Sequence, residues 1–351
     1  MPDPGAPNGR SAQVLLADLT TLRLGGPAGQ VLIPATEDEL VATVVDLDRA
    51  SSAVLMVGGG SNLVVGDAGF PGTVVRVATR GLTWADDGEH VVVTAAAGEP
   101  WDRLVAASVQ RGLAGIEALS GIPGLTGATP IQNVGAYGQE VADVVTAVRV
   151  LDRSRRQVRT LTPADCGFGY RSSALRGTDR YLVLAVSMRL RRSPQGGPVR
   201  YGELAAALGV QVGASAATSQ VRRAVLALRA GKGMLLDASD PDSVSAGSFF
   251  TNPLLTPEQA ATLPEQAPRY ADASGAVKTS AAWLIEQAGF SRGHRRGRAR
   301  ISGKHPLALT NTGGATTAEV LELARAIRDG VQDLFGVELT VEPVLVGCSL
   351  D

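Results

Sequence analysis

The sequence predicts an α+β protein, and three observations carry that expectation. Strand-like runs rich in Val and Leu are interspersed with amphipathic helices that open on capping residues, as at Thr36-Glu37-Asp38-Glu39. Two glycine-rich segments, 58–62 and 121–138, break the strand pattern without looking like disordered linkers. The last third repeats the mixture as a unit of its own, with strands and helices around residues 280–288 and 316–335.

The chain has 351 residues, enough for two or three domains with separate cores. Hydrophobic residues make up 44%, the range of ordinary globular proteins, and with aromatics at only 4% the core must rely on Val, Leu and Ala. The 33 basic residues are balanced by 34 acidic ones, so no global field favours nucleic acid or an anionic membrane. Cys166 and Cys348 lack metal-ligand spacing and give no disulfide framework, which fits a reducing compartment. Residues 1–9 are Pro/Gly-rich and polar, without the regions of a signal peptide, and no apolar run approaches the roughly 18 residues of a membrane span. A cytoplasmic protein with a disordered N-terminus over 1–19 is expected.

Residues 20–33 mix strand-like residues with a Gly25-Gly26-Pro27 turn. The capping box at Thr36 opens a helix whose apolar face is Leu40, Val44, Val45 and Leu47. Val54-Leu55-Met56-Val57 reads as a buried strand, followed by Gly58-Gly59-Gly60-Ser61-Asn62 and a second strand, Leu63-Val64-Val65. A dinucleotide fingerprint needs a helix after its glycine turn, so this is not a Rossmann motif. It is either a plain turn or a nest of backbone N–H groups for an anion, with Ser61 and Asn62 as added donors. Strands follow at 73–77 and 90–96, and Pro100 opens a helix to residue 113 that buries Trp101, Leu104, Val105 and Val109. In 121–138, small residues alternate with single apolar anchors (Ile122, Leu125, Ile131, Val134), which makes a rigid loop. A tight interdomain turn and a main-chain cradle for something flat or anionic both fit it.

Strands at 144–151 and 157–161 come next, and 181–190 is apolar on both faces, as a fully buried strand would be. A Pro/Gly loop at 193–198 begins an excursion through Tyr201-Gly202-Glu203-Leu204 and a helix at 219–229 that ends at Gly231-Lys232-Gly233. In the last third, Ser248-Phe249-Phe250 precedes a helix at 280–288, a basic loop, a strand at 307–310 and a helix from Thr316 closed by Gly336. A final strand over 337–342 stops at Pro343, which cannot donate to a ladder.

Few side chains stand out as chemical. Ser248 lies between a glycine and two phenylalanines with no Gly-x-Ser-x-Gly elbow, so it is a proton donor or relay, or else a plain cap. Alternation puts Glu342 on the solvated face of its strand unless Pro343 re-aims it. Arg171, after Tyr170, is a charged fork suited to a carboxylate or a developing enolate oxygen, or to a surface salt bridge. Arg292, Arg295, Arg296, Arg298, Arg300 and Lys304, with His294 and His305, form the strongest basic cluster. Lacking interleaved aromatics, it reads as a solvated or phosphate-facing loop rather than a nucleic-acid surface. The three histidines lack metal spacing, and no metal is expected.

Together these motifs resemble the UDP-N-acetylenolpyruvoylglucosamine reductase family. The resemblance runs from about residue 20 to residue 347. It rests on Gly58-Gly59-Gly60-Ser61-Asn62, on Gly121-Ile122-Pro123-Gly124 through Pro130-Ile131-Gln132-Asn133-Val134-Gly135-Ala136-Tyr137-Gly138, on Gly169-Tyr170-Arg171-Ser172, on Gly247-Ser248-Phe249-Phe250 and on Val341-Glu342-Pro343. Each is weak alone; five in order are specific.

The resemblance implies a vanillyl-alcohol-oxidase-type (PCMH-type) FAD-binding domain of two α+β subdomains plus a C-terminal α+β substrate domain. The expected division is 20–77 joined by 343–351, then 78–232 with the substrate-loop excursion 193–232, then 233–342. It implies FAD held by Gly58, Gly59, Gly60, Ser61 and Asn62 and by Pro123, Gly124, Thr129, Gly135, Ala136 and Tyr137. It implies NADPH as reductant and UDP-N-acetylglucosamine enolpyruvate as substrate, using one pocket in turn, in peptidoglycan precursor synthesis. Arg171 and Glu342 match the pair that stabilises the aci-carboxylate formed when the flavin hydride reaches the substrate β-carbon. Ser248 matches the acid that then protonates the α-carbon. Tyr170, Tyr201, Lys232, Asn252 and Gln287 match substrate contacts, Tyr201 being the tyrosine of a mobile substrate loop in one subtype. Thr251 departs from the family pattern, which has lysine there, and leaves that cation to Lys232 or to the loop 292–304. A monomer without nucleic-acid or membrane partners is expected. Two other readings compete: an oxidase of a small alcohol or sugar on the same flavin scaffold, and a non-catalytic nucleotide-sugar or nucleic-acid binding module resting on the basic loop.

Overall fold

The computed structural model describes residues 14–272 and 275–351. The disorder expected for residues 1–13 lies outside the described residues, but residues 14–19 are ordered. Leu16–Leu19 is a short 3-10 helix, and Leu16 is wholly buried in a cluster with Val57, Val65 and Val74. The Pro/Gly composition ends before Val14-Leu15-Leu16, and Leu16 has a core to enter while Val14 and Leu15 stay exposed.

The first lobe is a parallel sheet in the order Ala28–Leu32, Phe70–Arg76, Val54–Val57. Helix Glu37–Arg49 connects two of its strands and carries the complete capping box at Thr36. Its buried Leu40 and Val44 join the core of the second lobe, so this helix ties the two together. Leu63–Val65 stands apart and pairs in parallel with Val344–Val346, the last strand of the chain.

That pairing corrects the expected strand over 337–342, which does not form. Its residues are irregular, except that Val341 bridges Phe250. The strand instead follows Pro343, where the missing N–H falls just outside the ladder and the Val344 N–H donates to Asn62 O at 2.9 Å. The preceding stretch is tied sideways: Thr251 N–H donates to Thr340 O at 3.0 Å and Glu342 N–H to Phe249 O at 2.9 Å.

The second lobe is an antiparallel sheet in the order Gln157–Leu161, Val145–Asp152, Tyr181–Arg192, His90–Ala96, Leu82–Asp87. Tyr181–Arg192 is central, which is why 182–186 is buried on both faces. Helix Trp101–Gln110 covers the sheet with Trp101, Leu104 and Val105 buried. It stops three residues short of the expected end, because Gly112 turns left-handed (φ +66°) and Leu113–Ala114 joins the sheet. The excursion folds as a small module of a hairpin, Gln195–Pro198 with Ser215–Ala217, and helices Gly202–Leu208 and Thr218–Gly231 around Leu204, Val221 and Val225.

The third lobe has a sheet in the order Ser245–Ser248, Ala308–Asn311, Ala299–Ile301, Arg295–Arg296, packed on helices Ala281–Gln287 and Thr317–Phe335. The long helix is capped by Thr316 and also from the first lobe, where the Asp67 carboxylate accepts from Thr317 N (2.7 Å) and Ala318 N (3.0 Å). Among the described residues, no helix is long and apolar enough to cross a membrane.

Candidate active site

A cleft of about 470 Å³ opens where the lobes meet, a volume typical of ligand sites. Both glycine segments line it and touch main chain to main chain. A Cβ on Gly59 would stand 2.8 Å from Gly124 Cα, and one on Gly124 would stand 2.7 Å from Ser61 Oγ, so no side chain fits between the loops. The contact is pinned. The Ser61 hydroxyl donates to Pro123 O (3.1 Å), Trp101 N to Gly124 O (3.1 Å) and Thr126 N to Glu99 O (2.8 Å). The result is a trough of peptide groups flanked by Met56, Ile122, Leu125 and Ile131, shaped for a flat ring and a diphosphate. Gly58, Gly59, Gly60, Ser61, Asn62, Pro123, Gly124, Thr129, Gly135, Ala136 and Tyr137 all line the cleft. This chemistry and shape fit FAD.

Facing the trough are three residues from distant parts of the chain: Arg171, Ser248 and Glu342. Arg171 has left-handed backbone (φ +49°), a conformation that costs a non-glycine residue about 1 kcal/mol or more. Its guanidinium donates to Gly135 O at 2.7 Å and pairs with Glu342 at 3.4 Å. Glu342 is therefore not solvated: its side chain is 14% exposed. Burial pushes its carboxyl above the usual range, against the charges of Arg171 and Arg176. Gln132 Nε2 also donates to its Oε1 (3.4 Å), while Asn62 Nδ2 donates to Gln132 Oε1 (2.9 Å). Ser248 ends its strand half-buried on the cleft wall, beside Glu342 because Phe249 and Phe250 bond and bridge the 341–342 stretch.

At the other end of the cleft stand Tyr137, Tyr201 and Lys232. Tyr137 and Gly138 (φ +50° and +86°) turn the chain between Gly135–Ala136 and Gln139–Glu140, as a two-residue hairpin of the I′ kind requires. The Tyr137 ring meets Tyr201 edge-on at 6.0 Å, with the Lys232 ammonium 5.6 Å from its centroid. Burial pushes the Tyr137 phenol up to about 12, so it remains a neutral hydroxyl. Lys232 is paired with Glu203 of the excursion at 2.5 Å. Asn252 also lines the cleft, its Oδ1 accepting from Ala281 N at 3.0 Å.

Two expected contacts stand behind or off the wall. Tyr170 stands behind it, bonded to Asn252, with its ring 5.6 and 5.2 Å from the cations of Arg171 and Lys278. Gln287 is exposed and off the wall. Helix Ala281–Gln287 meets Asn252 at its first turn, and a helix that long carries its last residue roughly 10 Å away.

Arg176, Arg229 and His305 line the cleft without having been singled out for it by the sequence, and Arg176 donates to Glu342 O at 3.1 Å. Arg229 has its Nη2 donating to Met234 O at 2.8 Å and its buried Nε without a hydrogen-bond partner among the described residues. The helical pattern showed it only as a last-turn basic residue. His305 seemed part of the basic loop but lines the cleft. Burial and the nearby Lys232, Arg229 and Arg292 charges lower it to about 4. It is neutral at pH 7, and since Nδ1 accepts from Leu307 N (3.1 Å), its proton sits on Nε2. The rest of the basic loop is largely engaged in ion pairs: Arg300 with Asp242 and Lys304 with Asp240, both at 2.8 Å, Arg292 with Glu286 at 3.6 Å and Arg296 with Glu322 at 3.5 Å. The Arg300 and Lys304 pairs stand at a wider hollow of about 840 Å³ lined by Asp237, Asp240, Asp242 and Lys304. Among the described residues, no group of His, Cys, Asp and Glu is placed to hold a metal.

Comparison with known proteins agrees with this geometry. Residues 240–346 match the family model described as UDP-N-acetylenolpyruvoylglucosamine reductase, C-terminal domain, and residues 28–161 match the model of an FAD binding domain. The chain is 52% identical over 348 residues to the UDP-N-acetylenolpyruvoylglucosamine reductase of Thermobifida fusca, covering 96% of this chain and 98% of that one. It is also 52% identical to the enzyme of that name from Cutibacterium acnes, covering 96% and 90%. Among solved structures it is similar to the UDP-N-acetylenolpyruvylglucosamine reductase from Thermus caldophilus, with a TM-score of 0.65 and 29% identity over 95% of this chain and 98% of that one.

Proposed function

The chain belongs to the UDP-N-acetylenolpyruvoylglucosamine reductase family, and from that premise we propose that it reduces the enolpyruvyl ether of UDP-N-acetylglucosamine to UDP-N-acetylmuramate, using NADPH and FAD. The observation that carries the reading is the meeting of Arg171, Glu342 and Ser248 on one wall of the cleft whose other wall is the two glycine loops. The architecture is that of a vanillyl-alcohol-oxidase-type flavin domain followed by a substrate domain. The division 20–77 with 343–351, 78–232 and 233–342 is supported by the distinct sheets and by the pairing of Val344–Val346 with Leu63–Val65, although Leu40, Val44, Val75 and Val77 join the core of the second part and Leu22, Leu24 and Val64 that of the third.

FAD, when bound, supplies the hydride that it has received from NADPH. The chain's part is to hold and protonate. Peptide N–H groups of the two glycine loops hold the diphosphate and ring of FAD, with Thr129, Ser61 and Asn62 beside them. Arg171 is the fork for the substrate carboxylate, whose charge grows as the electron pair left on the α-carbon delocalises into it to give the aci-carboxylate. Glu342, paired with Arg171, holds that guanidinium toward the substrate carboxylate and completes the pair. The Ser248 hydroxyl delivers a proton to the α-carbon. Lys232, Arg229 and the neutral His305 form the polar end for the UDP diphosphate, with Asn252 and Tyr201 at its edge. Lys232 and Arg229 thus supply the cation that Thr251 does not, and the basic loop's own charges go largely to structural pairs. The proposal includes a cytoplasmic monomer, whose mass light scattering would report.

Spectra of the purified holoenzyme test the reaction. Anaerobic NADPH should bleach the flavin bands, and UDP-N-acetylglucosamine enolpyruvate alone should restore them. Recovery only on admitting oxygen would mark an oxidase and sink the proposal, and a colourless protein would point to a binding module.

A further inference from the structure

Asp102, in the first turn of helix Trp101–Gln110, is not on the cleft wall, yet its carboxylate grips two elements that are. Its Oδ1 accepts the Gly121 N–H at 2.6 Å. Both oxygens also take the fork of Arg222, at 2.6 and 2.7 Å, and Arg222 is only 17% exposed. Gly121 begins the second glycine loop. Arg222 belongs to helix Thr218–Gly231, and Leu226 and Arg229 follow on the same face at helical spacing. Gly121 lies directly under that face: a Cβ there would stand 2.8 Å from Leu226 Cδ2 and 3.5 Å from Arg229 Cδ. Burial raises the Asp102 carboxyl, but the Arg222 bonds, the Gly121 N–H and the charges of Arg222 and Arg229 outweigh it and hold it below the usual carboxylate range.

We propose that Asp102 is a positioning residue whose one carboxylate sets the register between the flavin-cradling glycine loop and the helix that carries Arg229 and ends at Lys232. The inference rests on the assignment of Arg229 and Lys232 to the substrate diphosphate. FAD is held by one element and the diphosphate by the other, so a slip between them carries the diphosphate contacts away from a substrate whose other end is docked at the flavin, which weakens substrate binding and raises KM. A carboxylate bonded to both elements opposes that slip.

The test is kinetic, on holoenzyme variants. In Asp102→Asn the side-chain oxygen still accepts from Gly121, while an amide N–H₂ is set against Arg222; Arg222→Gln removes the pair from the other side. Both should raise KM for UDP-N-acetylglucosamine enolpyruvate about tenfold with FAD content intact. Asp102→Ala should in addition lose FAD. The exchange Asp102→Arg with Arg222→Asp re-forms the ion pair but offers Gly121 no acceptor, so KM should return to within about threefold while FAD retention stays poor. Unchanged KM in Asp102→Asn and Arg222→Gln would overturn the proposal, as would an exchange that restores neither parameter. Lys232→Met, run alongside, keeps the two ideas apart. If it raises KM while Asp102→Asn does not, the positioning role fails; if it leaves KM unchanged, the diphosphate assignment fails.

Discussion

Gly58 and Gly59 are neighbours on the same trough, and the structure assigns opposite outcomes to the same substitution. Gly59→Ala would place a methyl 2.8 Å from Gly124 Cα, where ordinary contact begins at 3.4 Å, so the two loops must part by at least about 0.6 Å. The obstacle is backbone, held by the Trp101 N to Gly124 O and Thr126 N to Glu99 O bonds, and Trp101 is fully buried, so the second loop cannot simply give way. Overpacking of this kind costs about 1–3 kcal/mol. Its effect falls on the main-chain donors that hold the FAD diphosphate, and the dissociation constant for FAD should rise about 10- to 100-fold. Gly58→Ala meets only Leu125 Cδ1 at 3.4 Å, an ordinary contact, and should change the constant less than about threefold. Titration of the apoprotein with FAD, followed by flavin fluorescence quenching, measures both. Equal affinities for Gly59→Ala and the native protein, or equal losses in the two variants, would refute the close-packed cradle.

Three further outcomes follow from the same geometry. Ser248→Ala should leave flavin reduction by NADPH intact and slow reoxidation by the enolpyruvyl substrate about 10²- to 10⁴-fold; normal reoxidation in stopped flow would dismiss Ser248 as the proton donor. Arg171→Lys keeps the charge but loses the fork that reaches both Gly135 O and Glu342, and reoxidation should slow on the order of 10²-fold, a native rate arguing that charge alone suffices. His305 titrates at about 4 folded against 6.5 unfolded, so the unfolded chain binds more protons between those values and stability falls as pH drops through that window. The loss is on the order of 3 kcal/mol and should be absent from His305→Gln; parallel urea midpoints for the two proteins between about pH 7 and about pH 4.5 would contradict it.

The legible part of the protein is the part written in short range. Capping boxes at Thr36 and Thr316 mark their helices because the bonds that satisfy the first turn come from residues three apart. The buried central strand declares itself through apolar residues on both faces, and the strand that follows Gly58–Asn62 rules out a Rossmann turn, both properties of the next few residues. The order of five weak motifs was enough to name the family and hence the cofactor and reaction. Gln287 shows the limit of that transfer: matching a motif placed it at the substrate, while the length of its helix carries it away from the cleft.

What only the tertiary structure decided is which of these residues share a space. Alternation along 337–342 sent Glu342 to solvent. It is buried because Phe249 and Phe250 tie the chain sideways and because Asn62 and Gln132, 280 and 210 residues away, bond its peptide and its carboxylate. Arg229 is an ordinary end-of-helix cation by pattern, and in the fold it lines the cleft with its Nη2 bonded to Met234 O and its Nε without a partner among the described residues. Asp102 is an ordinary first-turn acid until Gly121 and Arg222, 19 and 120 residues on, close around it. Periodicity reports the face a residue presents, because it follows from φ and ψ alone. The partner waiting at that face depends on lobe packing, which sums many weak contacts between distant segments and leaves no mark on the neighbouring residues.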